Sequence, residues 1–380
     1  MIRVAHLTSV HPADDIRIRG KECATLANAG YMVFLIASSD ALAPSEVIDG
    51  VHLVRVPRRR GRLQRATRSA WSVFRATLQT HATVCHLHDP ELIWVGILLK
   101  VAGRKVIYDV HEDLPRQIRD KNWIHPLLRA PIGRVAAVIE SMAARLFDAT
   151  VVVTPTIASR FPRASTVLIR NLPIIAELAS TGGQRAYAAR APLAVYVGGI
   201  ASTRGARQLV EAMHFVRRHV RARIVLAGRF QPEGLRDDLS QIAGWDRVDV
   251  AGWLGRSDVA ELLGSARIGL VTLLPTASYL TSYPTKLFEY MAAGLPVVAS
   301  DFPVWREIVE SADCGLLVDP RDPRAIADAI ERLLDDPGEA EAMGERGRAA
   351  VMERYSWEAE KSVLLELYLH LAGPPGVGGQ

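Results

Sequence analysis

The sequence predicts an α/β protein built from two doubly wound parallel-sheet halves in tandem. Three observations carry the prediction. Short apolar runs alternate with helical stretches along nearly the whole chain, the pattern of a parallel sheet covered on both faces. The alternation breaks once, near residues 172–191, and then resumes. Charge divides at the same place: residues 1–172 carry a net +10 and residues 173–380 a net −5, as two halves with different partners would.

The elements follow in order. IRVAHLT (2–8) is the opening strand, Ser9 to Asp15 a polar loop, and Arg17 to Ala29 a helix stopped by Gly30. YMVFLIA (31–37) suits a buried strand. Further strands are expected at 51–56, 83–88, 105–110, 149–154 and 166–171. The stretch 173–191, with Pro173, Gly182 and Gly183, reads as a linker. Strands then recur at 193–198, 223–228, 247–252, 267–273, 296–300 and 315–319, and Pro323 to Leu371 is almost wholly helical. The expected division is a first domain 1–172, the linker, a second domain 192–353, a closing helix 354–372 and a disordered tail 373–380.

Composition narrows the class. The 380 residues are 49% hydrophobic and 23% charged, which excludes a disordered chain or a coiled coil. The apolar run Leu92 to Leu99 falls far short of the ~20 residues of a membrane span, and MIRVAHLTSV has no secretory pattern. Cys23, Cys85 and Cys314 are far apart and form no disulfide framework or zinc spacing. A cytoplasmic protein is expected. The basic first half favours an anionic partner, or else reflects an arginine-rich genome, since Arg outnumbers Lys 40 to 6. Six arginines between Arg58 and Arg68, and the basic and apolar mixture of 121–147, fit peripheral contact with an anionic membrane. They equally fit a helix packed on the sheet with its charges in water. No nucleic-acid motif is present.

Ligands of open parallel sheets bind beyond the carboxyl ends of the strands, so the crevice between two such halves is the expected site. In Ser282–Ser300, SYPTKLFEYMAAGLPVVAS, Pro284 suits a helix start and Gly294 and Pro296 a stop. Leu287, Phe288, Met291 and Ala292 form an apolar stripe, while Lys286 and Glu289 share another face. Helix-start amides make an anion site. Lys286 in that first turn is unfavourable unless an anion is held there, and Glu289 could accept hydrogen bonds from vicinal sugar hydroxyls. Phosphate plus ribose describes a nucleotide; the plainer alternative is an exposed Lys–Glu pair. In AVYVGGIASTRGARQLVEAM (194–213), Gly198 and Gly199 permit close backbone approach and Arg204 can clamp a diphosphate. Gly228, Arg229 and Trp253 lie at other strand ends, Trp253 being either core or a base platform.

These segments resemble the signature of glycosyltransferase family 4, retaining enzymes of the GT-B fold that use sugar nucleotides. EYMAAGLPVVAS (289–300) matches the latter part of the family pattern, with Glu289 as its second glutamate, implied to hold the ribose. Thr281 stands where the first glutamate, implied to contact the donor sugar, belongs; Gly199 replaces the usual Arg and Arg204 the usual Lys. The resemblance extends the donor site to Ser282, Tyr283, Pro284, Thr285 and Leu287 beside Lys286. HLHDPEL (86–92) and YDVHED (108–113) resemble segments on the acceptor side, and His111 matches a histidine implied to lie near the donor sugar. His88, Asp89, Glu91 and Glu112 are candidates for acceptor hydroxyls. Asp14, Asp15 and Arg17 either join them or cap the first helix.

His86 and His88 share one strand face and with His111 are the candidates for a metal. No third ligand has motif spacing and GT-B enzymes generally need no metal, so none is expected, nor any cofactor beyond a UDP- or GDP-sugar donor. The final helix resembles the GT-B helix that returns to the first domain. The expected activity is retaining sugar transfer to a glycan, lipid-linked or small-molecule hydroxyl, with His111, Arg204 and Lys286 as catalytic residues. The alternatives are a GT-B epimerase, a pseudo-glycosyltransferase, or a catalytically silent nucleotide-sugar binder.

Overall fold

The structure, a computed structural model, describes residues 1–40, 45–59, 61–121, 123–175 and 187–375. Most of the expected linker (176–186), the end of the expected tail (376–380) and Arg60 of the basic run lie outside these residues. The chain divides into two compact units, Met1–Asn171 with Trp357–Gln380, and Leu172–Ser356.

The first unit holds strands β1 (Arg3–Thr8), β2 (Met32–Ser39), β3 (Glu46–Ile48), β4 (Val51–Pro57), β5 (Val84–Leu87), β6 (Lys105–Val110), β7 (Ala149–Val152) and β8 (Thr166–Leu168). They form one sheet in the order β3-β4-β2-β1-β5-β6-β7-β8. All its pairings are parallel except β3 on β4. The β3–β4 hairpin was not expected: Asp49 and Gly50, both at positive φ, turn the chain between its strands. One sheet face carries Ala5, Leu7, Cys85, Leu87, Val106, Tyr108 and Val110 into an apolar core with the helices Ala70–Thr80 and Ile93–Val101. Alternation turns His6, His86 and Asp109 to the other face, beneath the helix Ile16–Asn28, whose first half (Ile16–Cys23) is wound with π-type hydrogen bonds. The helix Trp357–Ala372 packs beside it: Trp357 Nε1 donates to Thr25 Oγ1 at 3.0 Å, and Glu360 takes two hydrogen bonds from Arg170.

The second unit holds β9 (Leu193–Val197), β10 (Ile200–Ala201), β11 (Arg223–Ala227), β12 (Phe230–Gln231), β13 (Val248–Gly252), β14 (Ile268–Val271), β15 (Val297–Ser300) and β16 (Gly315–Val318). Its main sheet runs β13-β11-β9-β14-β15-β16, all parallel, and β10 pairs with β12. Apolar cores lie on both faces. The described ends of the expected linker belong here. Tyr187 of the linker, and Leu172, expected to end the first domain, are buried in the second unit's cores, and Tyr187 Oη donates to the Arg267 carbonyl at 2.9 Å. Composition could not show this, since one aromatic ring fills a gap only the folded unit creates. Among the described residues, no helix is long and apolar enough to cross a membrane.

Candidate functional site

In each unit the strand order reverses around its first strand: β1 lies between β2 and β5, and β9 between β11 and β14. The loops leaving the carboxyl ends of these strands diverge and leave room for a ligand.

In the second unit, Gly198 and Gly199 follow β9. A Cβ on Gly228, after β11, would lie 1.9 Å from the Gly198 carbonyl oxygen, so the two loops touch through backbone alone. Gly205, at φ 74°, turns the chain into the helix Ala206–Phe215 and brings Arg204 back over Gly199, whose carbonyl accepts from Arg204 Nη1 at 3.3 Å. The helix Thr285–Ala292 begins at Pro284 and ends at Gly294, as its sequence predicts. Lys286 projects from its first turn to the same glycines. Its Nζ stands 3.6 Å from the centre of the Tyr196 ring and would be 3.4 Å from a Cβ on Gly198.

The electrostatics here are unfinished. Lys286 Nζ is buried and has no hydrogen-bond acceptor among the described residues. Burial, then the nearby Arg204 guanidinium, pushes its pKa well below the usual lysine value, against the weaker pull of Glu289. Arg204 stays fully cationic: burial disfavours its charge, but Tyr196 and Tyr279 outweigh that. An unpartnered buried ammonium is costly, and a bound anion beside two glycines would relieve it.

Glu289, one turn on, accepts from Arg256 Nη1 at 2.7 Å, a partner the helix spacing did not reveal. Trp253 is 69% exposed and so is not core; Arg229 lies 6.0 Å from its ring centre. Thr281 closes a short turn (Tyr279–Thr281), and the Ser282 carbonyl accepts from Trp305 Nε1 at 2.8 Å. Tyr283 packs its ring on Phe288. Thr285 opens the helix. Leu287 is a correction: its side chain is fully buried in the core and its N–H bonds the Pro284 carbonyl, so it packs the helix rather than touching a ligand.

The first unit brings its polar residues together differently. His6 and His86 are register partners on β1 and β5, and His88 follows two residues on. His6 Nδ1 shares a 2.9 Å hydrogen bond with His88 Nε2, and His88 Nδ1 stands 3.1 Å from His111 Nε2. His111 Nε2 donates to Asp109 Oδ2 at 2.8 Å. Tyr368 Oη, from the helix Trp357–Ala372, is 3.0 Å from both His86 Nδ1 and His6 Nε2. Burial pushes the pKa of His6 and His86 well below the usual value and that of His88 to about 4.

Arg17 is the second correction. Instead of facing an acceptor it is buried, with Nη2 3.1 Å from both Asp109 oxygens and 3.1 Å from Glu22 Oε1. Burial pushes the Asp109 carboxyl up, but Arg17 and then His111 outweigh it and hold it well below the usual range. Glu22, also paired with Arg17, goes the other way, raised by burial and by Asp109. His88 and Asp89, expected at acceptor hydroxyls, are buried too. Asp89 accepts from Thr8 Oγ1 at 2.8 Å and from the Ser9 N–H at 2.6 Å, tying β1 to its loop. Asp15 caps the helix through the Ile18 N–H at 2.9 Å. His11 and the Ile18 amide then hold its carboxyl at about 2 despite burial. Glu91 accepts from Ser9 Oγ and Arg65 Nε; Asp14 and Glu112 are exposed. His6, Glu22, Asp109 and Tyr368 were missed. A histidine on each of two expected strands was the available signal, and the remote Tyr368 had none.

Known proteins match both halves. The family described as "Glycosyl transferase 4-like domain" matches residues 20–172, and that described as "Glycosyl transferases group 1" matches residues 191–336. The chain is 30% identical over 183 residues to alpha-D-kanosaminyltransferase of Streptomyces kanamyceticus, covering 47% of this chain but less than half, 45%, of that protein. It is 26% identical over 364 residues to phosphatidyl-myo-inositol mannosyltransferase of Mycobacterium leprae, covering 94% of this chain and 90% of that one. In fold it is similar to sucrose-phosphate synthase from Thermosynechococcus elongatus, with TM-score 0.79, 22% identity and 98% and 99% of the two chains covered. It is also similar to Anabaena Alr3699/HepE in complex with UDP and glucose, with TM-score 0.73, 13% identity and coverage of 97% and 100%. Two parallel α/β units, each matched to a glycosyltransferase domain, and relatives that transfer sugars lead to one assignment: the chain belongs to the family 4-like glycosyltransferases and has the GT-B fold.

Proposed function

We propose that this glycosyltransferase takes its sugar from a nucleotide-diphosphate donor and delivers it, with retention of configuration, to an acceptor hydroxyl. The observation that carries the reading is Lys286 Nζ, buried without an acceptor beside Arg204 and the Gly198–Gly199 pair. The two cations and the glycine amides hold the diphosphate, and Glu289 accepts from the ribose hydroxyls. Gly228, Arg229 and Trp253 lie toward the base. The first unit binds the acceptor, with His111 near the transferred sugar and the exposed Asp14 and Glu112 as polar contacts.

The chemistry follows from the charges. The bond from the anomeric carbon to the diphosphate oxygen breaks, and its electron pair stays on the diphosphate. Lys286 and Arg204 stabilise the negative charge that develops there. The acceptor oxygen bonds the anomeric carbon on the face the leaving group vacates, and the acceptor proton passes to a donor phosphate oxygen. UDP or GDP fits the site equally on these grounds.

On this reading the protein works in the cytoplasm, peripheral to an anionic membrane, and its three buried free cysteines are consistent with a reducing compartment. The helix Pro126–Leu146 exposes Leu127, Leu128, Val135, Val138 and Met142 together with Arg134 and Arg145, an apolar and basic surface suited to anionic headgroups. Co-sedimentation with phosphatidylglycerol vesicles, and not with phosphatidylcholine ones, is expected; equal pelleting with both would remove the charge component.

Incubation with UDP- and GDP-sugars should release the matching nucleotide diphosphate, and the anomeric proton coupling of the product should report retention. Arg204→Ala should depress turnover. No nucleotide binding, or a wild-type rate for that variant, would overturn the site.

A further inference from the structure

The first unit's switch point holds a second constellation that sugar transfer does not use. His6, Glu22, His86 and His88 each place one nitrogen or oxygen within 4.8 Å of those of the other three, and all four side chains are buried. His86 Nε2 and Glu22 Oε2 are buried with no hydrogen-bond partner among the described residues. Two unpartnered lone-pair donors facing two more imidazoles in a closed interior are an arrangement that a cation would complete and an apolar core would not contain.

We propose that His6, Glu22, His86 and His88 form a closed structural site for a transition-metal ion of the zinc class. Three imidazoles and a carboxylate are the donor set and number that zinc takes in four-coordinate sites. Metal–ligand bonds of ~2.0–2.1 Å put tetrahedral ligand atoms ~3.3 Å apart. The three separations among His6, His88 and Glu22 bracket that value, and His86 lies within 4.8 Å of all three. His6 Nδ1 is 2.9 Å from His88 Nε2, and Glu22 Oε2 is 3.8 Å from each of these nitrogens.

The outer partners also fit. A histidine that binds metal through one ring nitrogen carries its proton on the other. With His6 bound through Nδ1 and His86 through Nε2, both remaining N–H groups point at Tyr368 Oη, 3.0 Å from each, and that oxygen has two lone pairs. With His88 bound through Nε2, its Nδ1–H faces Asp109 Oδ2 at 3.3 Å, and Arg17 secures Asp109 in turn. The ion would pin β1, β5 and the helix carrying Glu22 together. Through Tyr368 it would also fasten the helix Trp357–Ala372 to the sheet of its own unit.

The test uses the full chain, stripped with a chelator and titrated with Co²⁺ and then Zn²⁺. One Co²⁺ per chain is expected, with the visible absorption of a four-coordinate site and loss of that absorption on Zn²⁺ addition. At a hundredfold excess over the dissociation constant, Zn²⁺ should raise the melting temperature by about 5–10 °C. Glu22→Gln and His86→Gln should each weaken Co²⁺ binding at least tenfold. His219→Gln, at a histidine of the second unit paired with Asp335, should leave it unchanged. If the two ligand variants fail to fold, X-ray absorption of the Co²⁺-loaded wild-type protein decides, with three imidazoles in the ion's shell as the expected result. Absence of stoichiometric uptake, a shell without imidazole, or uptake indifferent to Glu22→Gln and His86→Gln would overturn the proposal and leave a metal-free hydrogen-bonded chain.

Discussion

The two units bring the same topological point to opposite electrostatic ends. Around β1 the charges are closed in on themselves: Arg17 lies between Asp109 and Glu22, and hydrogen-bonded imidazoles link the rest. Around β9 they are left open: Lys286 Nζ lies against the Tyr196 face with no hydrogen-bond acceptor among the described residues, and Arg204 meets Tyr196, Tyr279 and a carbonyl. A doubly wound sheet thus delivers polar residues to a fixed place, and the balance of signs there decides whether the place is interior or receptor. An excess of one sign in a buried setting is stable only with a ligand of the other sign.

The sharpest way to break this comparison is to remove the central cation on each side. Arg17→Met should cost the first unit about 3–5 kcal/mol of stability in urea unfolding, because Asp109 and Glu22 lose their counter-charge. A loss below 1 kcal/mol would mean the closed side is not held by charge. Lys286→Met should act in the other direction, leaving the apo protein as stable or raising it by about 1–3 kcal/mol, since a buried charge without a partner disappears. The same variant should weaken UDP binding about a hundredfold, within the cost of truncating one member of a buried charge pair. Calorimetric titration measures the second effect and thermal melting the first.

A finer test separates the anion from the sugar within the open side. Glu289→Ala should weaken UDP binding about tenfold, the scale of a hydrogen bond to a charged group, and leave pyrophosphate binding unaltered. Equal losses for both ligands would make Glu289 a partner of Arg256 only.

The smallest effect is one of pH. Burial lowers the Lys286 pKa in the free protein, and a bound diphosphate raises it again. Between the two values the free amine is neutral and the bound one protonated, so binding takes up a proton. Affinity then falls as pH rises through that window, by at most about tenfold per unit. Calorimetry in buffers of different ionisation enthalpy should show the uptake at alkaline pH; none would mean that Lys286 keeps its charge throughout.

Much of the second unit's site could be read from the chain, because its parts are contiguous. Pro284, Lys286, Glu289 and Gly294 stand at helix spacing within one segment, and a helix start is by its nature an anion site. Gly198 and Gly199 follow a clear strand. Leu287 belongs to the apolar stripe that helix periodicity sends to the core, and only the family resemblance adds it to the donor site. The first unit's cluster draws on positions 6, 17, 22, 86, 88, 109 and 368, and no local period links them. Arg17, at the start of the expected first helix, reads from sequence as an acceptor contact or a helix-start charge; only packing shows that it is buried against Asp109 and Glu22.

The sequence by itself determined the strands, the helices that cover them and the anion-binding helix start, since each depends on residues a few positions apart. The tertiary structure alone decided which charges are buried and who faces them. That follows from the physics: periodicity is set by neighbours along the chain, whereas desolvation and Coulomb energy depend on whatever else the fold brings within a few ångströms.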